Sequence, residues 1–189
     1  MQMQEAYKPY LAEVLIDEET LQKRIAELGA QISKDFAGVE DLWLICVLKG
    51  GVMFLTDLSR HITVPHAIEF MAVSSYGSNV RQSSGHVRIM MDMNTNPEDK
   101  HLLIVEDIVD SGHTLEYIVN LLFSRNPASI TVCTLLNKFE RRETDVKIDY
   151  IGFDIPDKFV FGYGLDLDEL FRNMPFVGVA KLDEADGQD

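Results

Sequence analysis

The sequence is short of cysteine and has no long apolar run. Its only two cysteines, Cys46 and Cys133, each lie in an apolar, β-branched stretch, which indicates reduced, buried thiols and excludes a disulfide scaffold. No stretch is apolar for long enough to span a bilayer, and the first residues lack the basic region and apolar core of a secretory signal. A cytoplasmic protein with no membrane partner is therefore predicted.

Basic residues are also scarce. Lys and Arg number 17 against 31 Asp and Glu, for a formal net charge of -14. A surface of this charge repels a phosphate backbone, so no nucleic-acid partner is expected. An anionic small molecule would have to find a local positive pocket, which makes the few clustered cations informative.

Several motifs are missing. The five histidines form no H-E-x-x-H pair or Cys/His cluster, so no zinc site is predicted. There is no Walker loop and no G-x-G-x-x-G, so ATP hydrolysis and dinucleotide binding have no motif. No repeat or linker divides the chain, and its length and 46% hydrophobic content fit one domain over residues 1–189.

Apolar runs alternate with segments of helical periodicity. Strands are expected at 42–48, 67–75, 86–93, 102–105 and 130–136. Helices are expected at 18–36, in the segment around Leu58 and in the segment around Ile118. This alternation predicts an α/β fold with an open, mostly parallel sheet flanked by helices, which binds ligands at the carboxyl ends of its strands. Short strands at 150–155 and 159–163, with the amino-terminal helix, are expected to form a small cap from the N- and C-terminal segments.

The stretch after the fourth predicted strand has the features of a phosphate-binding loop. It reads D-S-G-H-T and leads directly into a helix. A small turn at a helix amino terminus presents unpaired backbone N–H groups and the positive end of the helix dipole. Ser111 and Thr114 add hydroxyl donors, and Gly112 permits close backbone approach.

Two carboxylates, Glu106 and Asp107, precede this loop at the predicted strand end. They suit the hydroxyls of a ribose or a hydrated magnesium ion. The whole string V-E-D-I-V-D-S-G-H-T-L resembles the phosphoribosyl-pyrophosphate motif of type I phosphoribosyltransferases, specifically that of the hypoxanthine–guanine phosphoribosyltransferases. A capped helix with surface carboxylates would explain a bare D-S-G-x-T but not the whole string.

The resemblance implies a reaction in purine salvage. The 5-phosphoribosyl group of phosphoribosyl pyrophosphate would pass to the 6-oxopurine bases hypoxanthine and/or guanine, with Mg2+, giving IMP or GMP and pyrophosphate. Asp110 would accept the purine N7 proton. His113 stands where relatives often have Lys, Asn or Arg, which would weaken a side-chain phosphate contact unless the imidazole is protonated. A homodimer or homotetramer is also implied.

Two further segments match the pyrophosphate side of that family. Lys49 is followed by Gly50 and another glycine, and the matching family loop holds pyrophosphate and can contain a non-proline cis peptide, here before Lys49. The polar segment 75–85, called the flap below, matches a mobile loop in which Ser75 and Tyr76 contact the pyrophosphate side. We expect it to be mobile in the free enzyme and ordered when base analogue, sugar pyrophosphate and magnesium are bound together.

The base side is matched by two segments. Lys138 occupies the position of the family residue that hydrogen-bonds the purine O6. The run I-P-D-K-F-V-F-G-Y-G-L-D resembles the base-binding segment. By this resemblance Phe159 stacks on the purine, the Val160 backbone pairs with its edge, Asp166 binds magnesium or its waters, and Arg172 reaches the pyrophosphate.

Three alternatives remain open from the sequence. A regulatory RNA-binding relative of the same fold would need a basic face, which the net charge disfavours. A phosphoacceptor domain using Asp107 or Asp110 would explain carboxylates at strand ends but not the lysine–glycine loop. A xanthine-preferring phosphoribosyltransferase shares all of these motifs.

Overall fold

The structure is a computed structural model that describes residues 5–76 and 86–181, with side chains for all of these except residues 75, 76, 86 and 87. The helices are α1 (Glu18–Asp35), α2 (Val52–His61) and α3 (His113–Phe123). The strands are β1 (Leu11–Ile16), β2 (Leu42–Leu48), β3 (His66–Tyr76), β4 (His86–Met91), β5 (His101–Val109), β6 (Ser129–Asn137), β7 (Tyr150–Asp154), β8 (Val160–Phe161) and β9 (Val177–Ala180).

Six strands form the main sheet, in the order β4-β3-β2-β5-β6-β7. Every neighbouring pair is parallel except β3 and β4, which are antiparallel. The predicted open, mostly parallel sheet is therefore confirmed. Strand β5 lies in its middle between β2 and β6, so the loops that follow these three strands meet at one edge of the sheet.

The helices cover both faces of this sheet. Helices α1 and α2 contribute to one core cluster and α3 to the other, as expected for strands that read as continuous apolar runs. In α1, apolar residues three or four positions apart form the buried stripe; they are Leu21, Ile25, Leu28 and Ile32. Asp17 caps this helix by accepting a hydrogen bond from the Thr20 backbone N–H at 2.8 Å. None of the helices in the described ranges is long and apolar enough to cross a membrane.

A second, three-stranded antiparallel sheet has the order β1-β9-β8. It confirms a small cap from the N- and C-terminal segments, but its membership differs from our expectation. The amino-terminal contribution is a strand, β1, whereas helix α1 packs on α2 in the main layer. The segment 150–154 also lies outside the cap, because it pairs in parallel with β6 as an edge strand of the main sheet.

Strand β5 is longer than predicted. We expected it to end at Val105, but its pairing with β6 continues to Val109, which lies opposite Asn137. Glu106 and Asp107 therefore lie inside the strand and not beyond its end. Since successive side chains of a strand project to opposite faces, Glu106 and Asp107 leave the strand on opposite faces, and Asp107 lies against Gly50.

Candidate active site

The chemistry-bearing loops follow β2, β5 and β6. Lys49 comes directly after β2 and Lys138 directly after β6. Because β2 and β6 flank β5, the two lysines lie on either side of the loop that begins at Asp110. The sheet order thus gathers the predicted site residues of three distant sequence segments at one edge.

The loop after β5 turns tightly into α3. Gly112 adopts φ +92° as the residue before the helix, a conformation that glycine adopts without steric cost. A Cβ added there would also overlap Thr144 Oγ1, so the position excludes a larger residue. The Ser111 carbonyl accepts hydrogen bonds from the backbone N–H groups of Glu143 (2.9 Å) and Thr144 (3.3 Å). These hydrogen bonds anchor the loop to the segment that follows β6.

The amide groups of this loop are available to an anion. The first N–H groups of an α-helix have no partner within the helix, and in α3 these groups come directly after the loop. His113 directs Nε2 to Glu143 Oε2 at 2.8 Å. Its ring therefore faces a carboxylate, which leaves backbone N–H groups and hydroxyls as the donors that this loop could offer to an anion.

The loop after β2 packs against β5 without room for a side chain. The Leu48–Lys49 peptide bond is cis, as expected. A Cβ added at Gly50 would overlap Asp107 Oδ2, and one added at Gly164 would overlap the Gly50 carbonyl oxygen. The loop after β2, strand β5 and the segment at Gly164 are consequently in close contact at this point.

The carboxylate of Glu169 contacts both Lys49 and Arg172. Glu169 was not among the site residues predicted from the sequence. Glu169 Oε2 lies 2.8 Å from Lys49 Nζ and 3.3 Å from Arg172 Nη2. These two donors lower the pKa of Glu169. Arg172 Nη2 also lies 2.7 Å from Asp166 Oδ1, and its Nη1 donates to the Gly164 carbonyl at 2.9 Å. The two cations predicted for pyrophosphate are thus brought together.

The two carboxylates of β5 are in low-dielectric surroundings. Burial raises the pKa of Glu106 well above its ordinary value, and the charge of Asp107 raises it further. Burial also raises the pKa of Asp107, to about 6, although hydrogen bonds from backbone N–H groups and the charge of Arg172 act in the opposite direction. Asp166 is near enough for its charge to contribute to the raised pKa of Asp107.

These carboxylates fit a magnesium ion that takes the rest of its ligands from a substrate. The described ranges contain no group of three or more His, Cys, Asp or Glu arranged to hold a metal by themselves. Magnesium is commonly held by one or two carboxylates together with phosphate oxygens and water. Asp107 and Asp166, coupled through their charges, have the oxygen chemistry for such a partial site, with Glu106 one residue away.

On the other side of the loop, four charged side chains of alternating sign form a closed ring. Lys138 Nζ lies 3.8 Å from Asp110 Oδ2 and 3.5 Å from Asp157 Oδ1. Arg141 closes the ring, at 3.1 Å from Asp110 Oδ1 and 3.4 Å from Asp157 Oδ2. The sequence pointed to Asp110 and Lys138 but not to Arg141 or Asp157, although Asp157 stands in the segment that resembles the base-binding run.

One acceptor of this ring has unused capacity. Asp110 Oδ1 is buried and has no hydrogen-bond partner within the described part of the chain, since the nearby Arg141 Nε is not aligned for one. Buried polar atoms are normally hydrogen-bonded. An acceptor in this state is suited to a donor supplied by a ligand.

The segment that resembles the base-binding run contains Asp157 of the same ring. Asp157 contacts Lys138 and is followed two residues later by Phe159, whose side chain is 45% exposed. Val160 is buried in β8, and the Phe159 carbonyl accepts the Ala180 N–H at 2.9 Å. A partly exposed aromatic residue is therefore held at the small antiparallel sheet, two residues from a carboxylate of the charged ring.

Only the first two residues of the flap lie in a described strand. The backbone of Ser75 and Tyr76 pairs with β4 at the end of β3, on the side of the sheet that includes β2. The side chains of these two residues, and residues 77–85, lie outside the part of the chain that the structure describes. Their predicted contacts remain predictions.

Comparison with known proteins agrees with this arrangement. Residues 15–169 match the family model of the phosphoribosyl transferase domain. A hypoxanthine-guanine phosphoribosyltransferase from Mycobacterium tuberculosis is 50% identical over 182 residues, which cover 94% of this chain and 90% of that protein.

Solved structures agree as well. A hypoxanthine phosphoribosyltransferase from Staphylococcus aureus superposes with a TM-score of 0.88 at 43% identity, over 96% of this chain and 97% of its own. A hypoxanthine phosphoribosyltransferase from Trypanosoma cruzi, in complex with the product IMP, gives 0.84 at 41% identity, over 91% and 95% of the two chains.

The parallel sheet, the small terminal sheet and the loop at the start of α3 define a type I phosphoribosyltransferase, and the chain belongs to that family. Its relatives at 44–50% identity place it more narrowly. It is a member of the hypoxanthine–guanine phosphoribosyltransferases.

The raised pKa of Asp107 predicts a pH-dependent stability. A carboxyl whose pKa rises on folding to about 6 stabilises the folded state below about pH 4, and this contribution is lost as the pH rises through 6. From pH 4 to pH 7 we expect the free energy of unfolding of the wild type to fall by about 1–3 kcal/mol relative to Asp107→Asn. Urea titrations of both proteins across this range measure the difference; parallel pH profiles would contradict it.

Proposed function

We propose that this protein transfers the 5-phosphoribosyl group of phosphoribosyl pyrophosphate to hypoxanthine or guanine, in purine salvage. The observation that carries the proposal is the placement of Lys49 and Lys138 on either side of the phosphate-binding loop after β5. One side then has cations for pyrophosphate, and the other has an acceptor and a cation for a base. The IMP complex of the trypanosomal relative supports this product class.

The loop at the start of α3 is proposed to bind the 5′-phosphate. Backbone N–H groups and the helix dipole favour an anion there. In the proposal this site is formed by Ser111, Gly112, His113 and Thr114. Glu106 and Asp107 would bind the ribose hydroxyls or a metal-bound water.

Pyrophosphate is proposed to bind between the β2 loop and the segment 166–172. Lys49 and Arg172 supply positive charge, and Gly50 leaves its backbone accessible. Asp107 and Asp166, with Glu106, would hold Mg2+, which when bound neutralises part of the charge of the leaving pyrophosphate. Ser75 and Tyr76 would help to exclude water, which would otherwise hydrolyse the activated sugar.

The base is proposed to lie against Phe159, with its edge on the Val160 backbone. In the reaction the purine N9–C1′ bond forms as the bond from C1′ to pyrophosphate oxygen breaks, and the purine loses its N7 proton. Asp110 is proposed to accept this proton on its carboxylate oxygen Oδ1, which has no hydrogen-bond partner in the described part of the chain. Lys138 would donate a hydrogen bond to the purine O6, which polarises O6 and stabilises the charge that develops on the reacting base.

The remaining features of the proposal concern the whole chain. The matched segments run through residues 15–169, which supports a single domain. Both cysteines are free and buried, which supports a reducing compartment such as the cytoplasm. A homodimer or homotetramer is proposed from the family resemblance.

The activity is tested with each base separately. With phosphoribosyl pyrophosphate and Mg2+, we expect formation of IMP from hypoxanthine and of GMP from guanine, with pyrophosphate released one-for-one, and little or no product from xanthine. Excess chelator should abolish turnover. A faster reaction with xanthine would favour a xanthine-preferring enzyme, and no product with any base, together with RNA retention on a filter, would favour a regulatory relative.

Replacing the proposed proton acceptor separates chemistry from binding. Asp110→Asn is nearly isosteric and should lower kcat by on the order of 10²-fold or more, while the KM for phosphoribosyl pyrophosphate stays nearly the same. Asp145→Asn, an exposed change beyond the charged ring, is the matched control and should retain wild-type turnover. Unchanged turnover in Asp110→Asn would remove the assignment.

Lys138 is expected to act on the base alone. Its ammonium is nearly buried and faces Asp110 and Asp157, so Lys138→Ala should raise the KM for hypoxanthine by about tenfold or more. The affinity for phosphoribosyl pyrophosphate should change little. Steady-state kinetics with each substrate varied in turn gives both values, and the reverse pattern would place Lys138 on the phosphate side.

A further inference from the structure

Glu169 occupies a place that no part of the proposed reaction uses. Its carboxylate lies between Lys49, at 2.8 Å, and Arg172, at 3.3 Å. The two cations come from segments more than a hundred residues apart in sequence, after β2 and near the carboxyl end. A single carboxylate oxygen, Oε2, contacts both. Its position relative to the two cations is therefore that of an anionic oxygen of a bound ligand.

The backbone holds Glu169 in this position. Leu167 and Leu170 exchange both backbone hydrogen bonds, at 3.1 and 3.0 Å, and Asp168 and Glu169 between them have φ of +51° and +65°. Positive φ at both central residues is the geometry of a type I′ turn, which normally selects Asn or Gly. The Glu169 N–H also donates to Asp166 Oδ2 at 2.9 Å. A non-glycine residue in this conformation requires support from its surroundings, which these hydrogen bonds and the two ion pairs supply.

We propose that Glu169 is an internal counter-anion that competes with pyrophosphate for Lys49 and Arg172. The inference rests on the proposed function, which assigns both cations to the pyrophosphate group. An incoming pyrophosphate or phosphoribosyl pyrophosphate displaces the Glu169 carboxylate from the cations, and the carboxylate returns when the product leaves. Glu169 thereby lowers the affinity for both pyrophosphate-bearing ligands and keeps the two cations close together in the free enzyme.

The size of the effect follows from exposure. The Lys49 and Glu169 side chains are each 67% exposed, and that of Arg172 is 21% exposed. Exposed ion pairs are weak, so loss of the competing charge should tighten binding by only about two- to fivefold. The difference should shrink further at high ionic strength, because salt screens exposed charges.

Glu169→Gln tests the proposal, because it removes the charge and keeps the shape. Asp168→Asn is the matched control, since it removes one negative charge from the same turn, and asparagine accepts the positive φ found there. Titration calorimetry with pyrophosphate and Mg2+ should give about two- to fivefold tighter binding for Glu169→Gln than for Asp168→Asn. The KM for phosphoribosyl pyrophosphate should fall in parallel, while the KM for hypoxanthine stays unchanged.

A second comparison separates competition from a general effect of charge. In the Lys49→Met background, Glu169→Gln should produce a clearly smaller gain, because one of the two contested cations is absent. Equal or weaker pyrophosphate binding by Glu169→Gln, or an undiminished gain in the Lys49→Met background, would overturn the inference while leaving the proposed function intact. Failure of the wild type to bind pyrophosphate with Mg2+ would overturn both.

Discussion

The packing of Gly50 against Asp107 constrains the rest of the site. The β2 loop, the middle of β5 and the loop at Gly164 approach so closely that a Cβ at either glycine would overlap a neighbouring oxygen. This contact fixes where Lys49 leaves the sheet. It also fixes the start of the segment that leads to Arg172, whose guanidinium donates to the Gly164 carbonyl.

A hydrogen bond outside the site supports this packing. Tyr163, which precedes Gly164, donates to Asp57 Oδ2 at 2.6 Å, and Gln22 donates to the same oxygen at 3.0 Å. Helices α1 and α2 thereby hold the loop against Gly50 from the opposite side. A buried hydroxyl with a carboxylate partner gives the loop a defined position that apolar packing alone does not specify, so the pyrophosphate side of the site depends on the main core.

Much of the main sheet could be predicted from sequence, because its strands are covered on both faces and read as unbroken apolar runs. The predicted bounds of β2 agree with the structure, and those of α1 differ by one residue. Strands β1 and β9 were missed, since strands of only six and four residues give little periodic signal. The partners Arg141, Asp157 and Glu169 were missed for another reason: each is distant in sequence from a group that it contacts, and only the folded chain brings the charges together.

The charge distribution explains how a protein with a net charge of -14 can present a site for anions. Lys49 and Arg172 are paired with Glu169 and Asp166, while Lys138 and Arg141 are paired with Asp110 and Asp157. Within each group, carboxylates that hold the cations in the free protein are also candidates for direct work on a ligand, Asp166 toward a metal and Asp110 toward a proton.

The two groups differ in what a ligand must replace. On the side of Lys49 and Arg172 an exposed carboxylate already contacts both cations, so an anion that binds there would displace ion pairs that are themselves weak. On the side of Lys138, Asp110 Oδ1 lies 3.1 Å from Arg141 Nε but has no hydrogen-bond partner in the described structure, so a ligand N–H would add a hydrogen bond without displacing one. In the proposed reaction, selectivity for a base with a donor at N7 is therefore expected from the β6 side, whereas on the β2 side the competing carboxylate would favour release of a highly charged product.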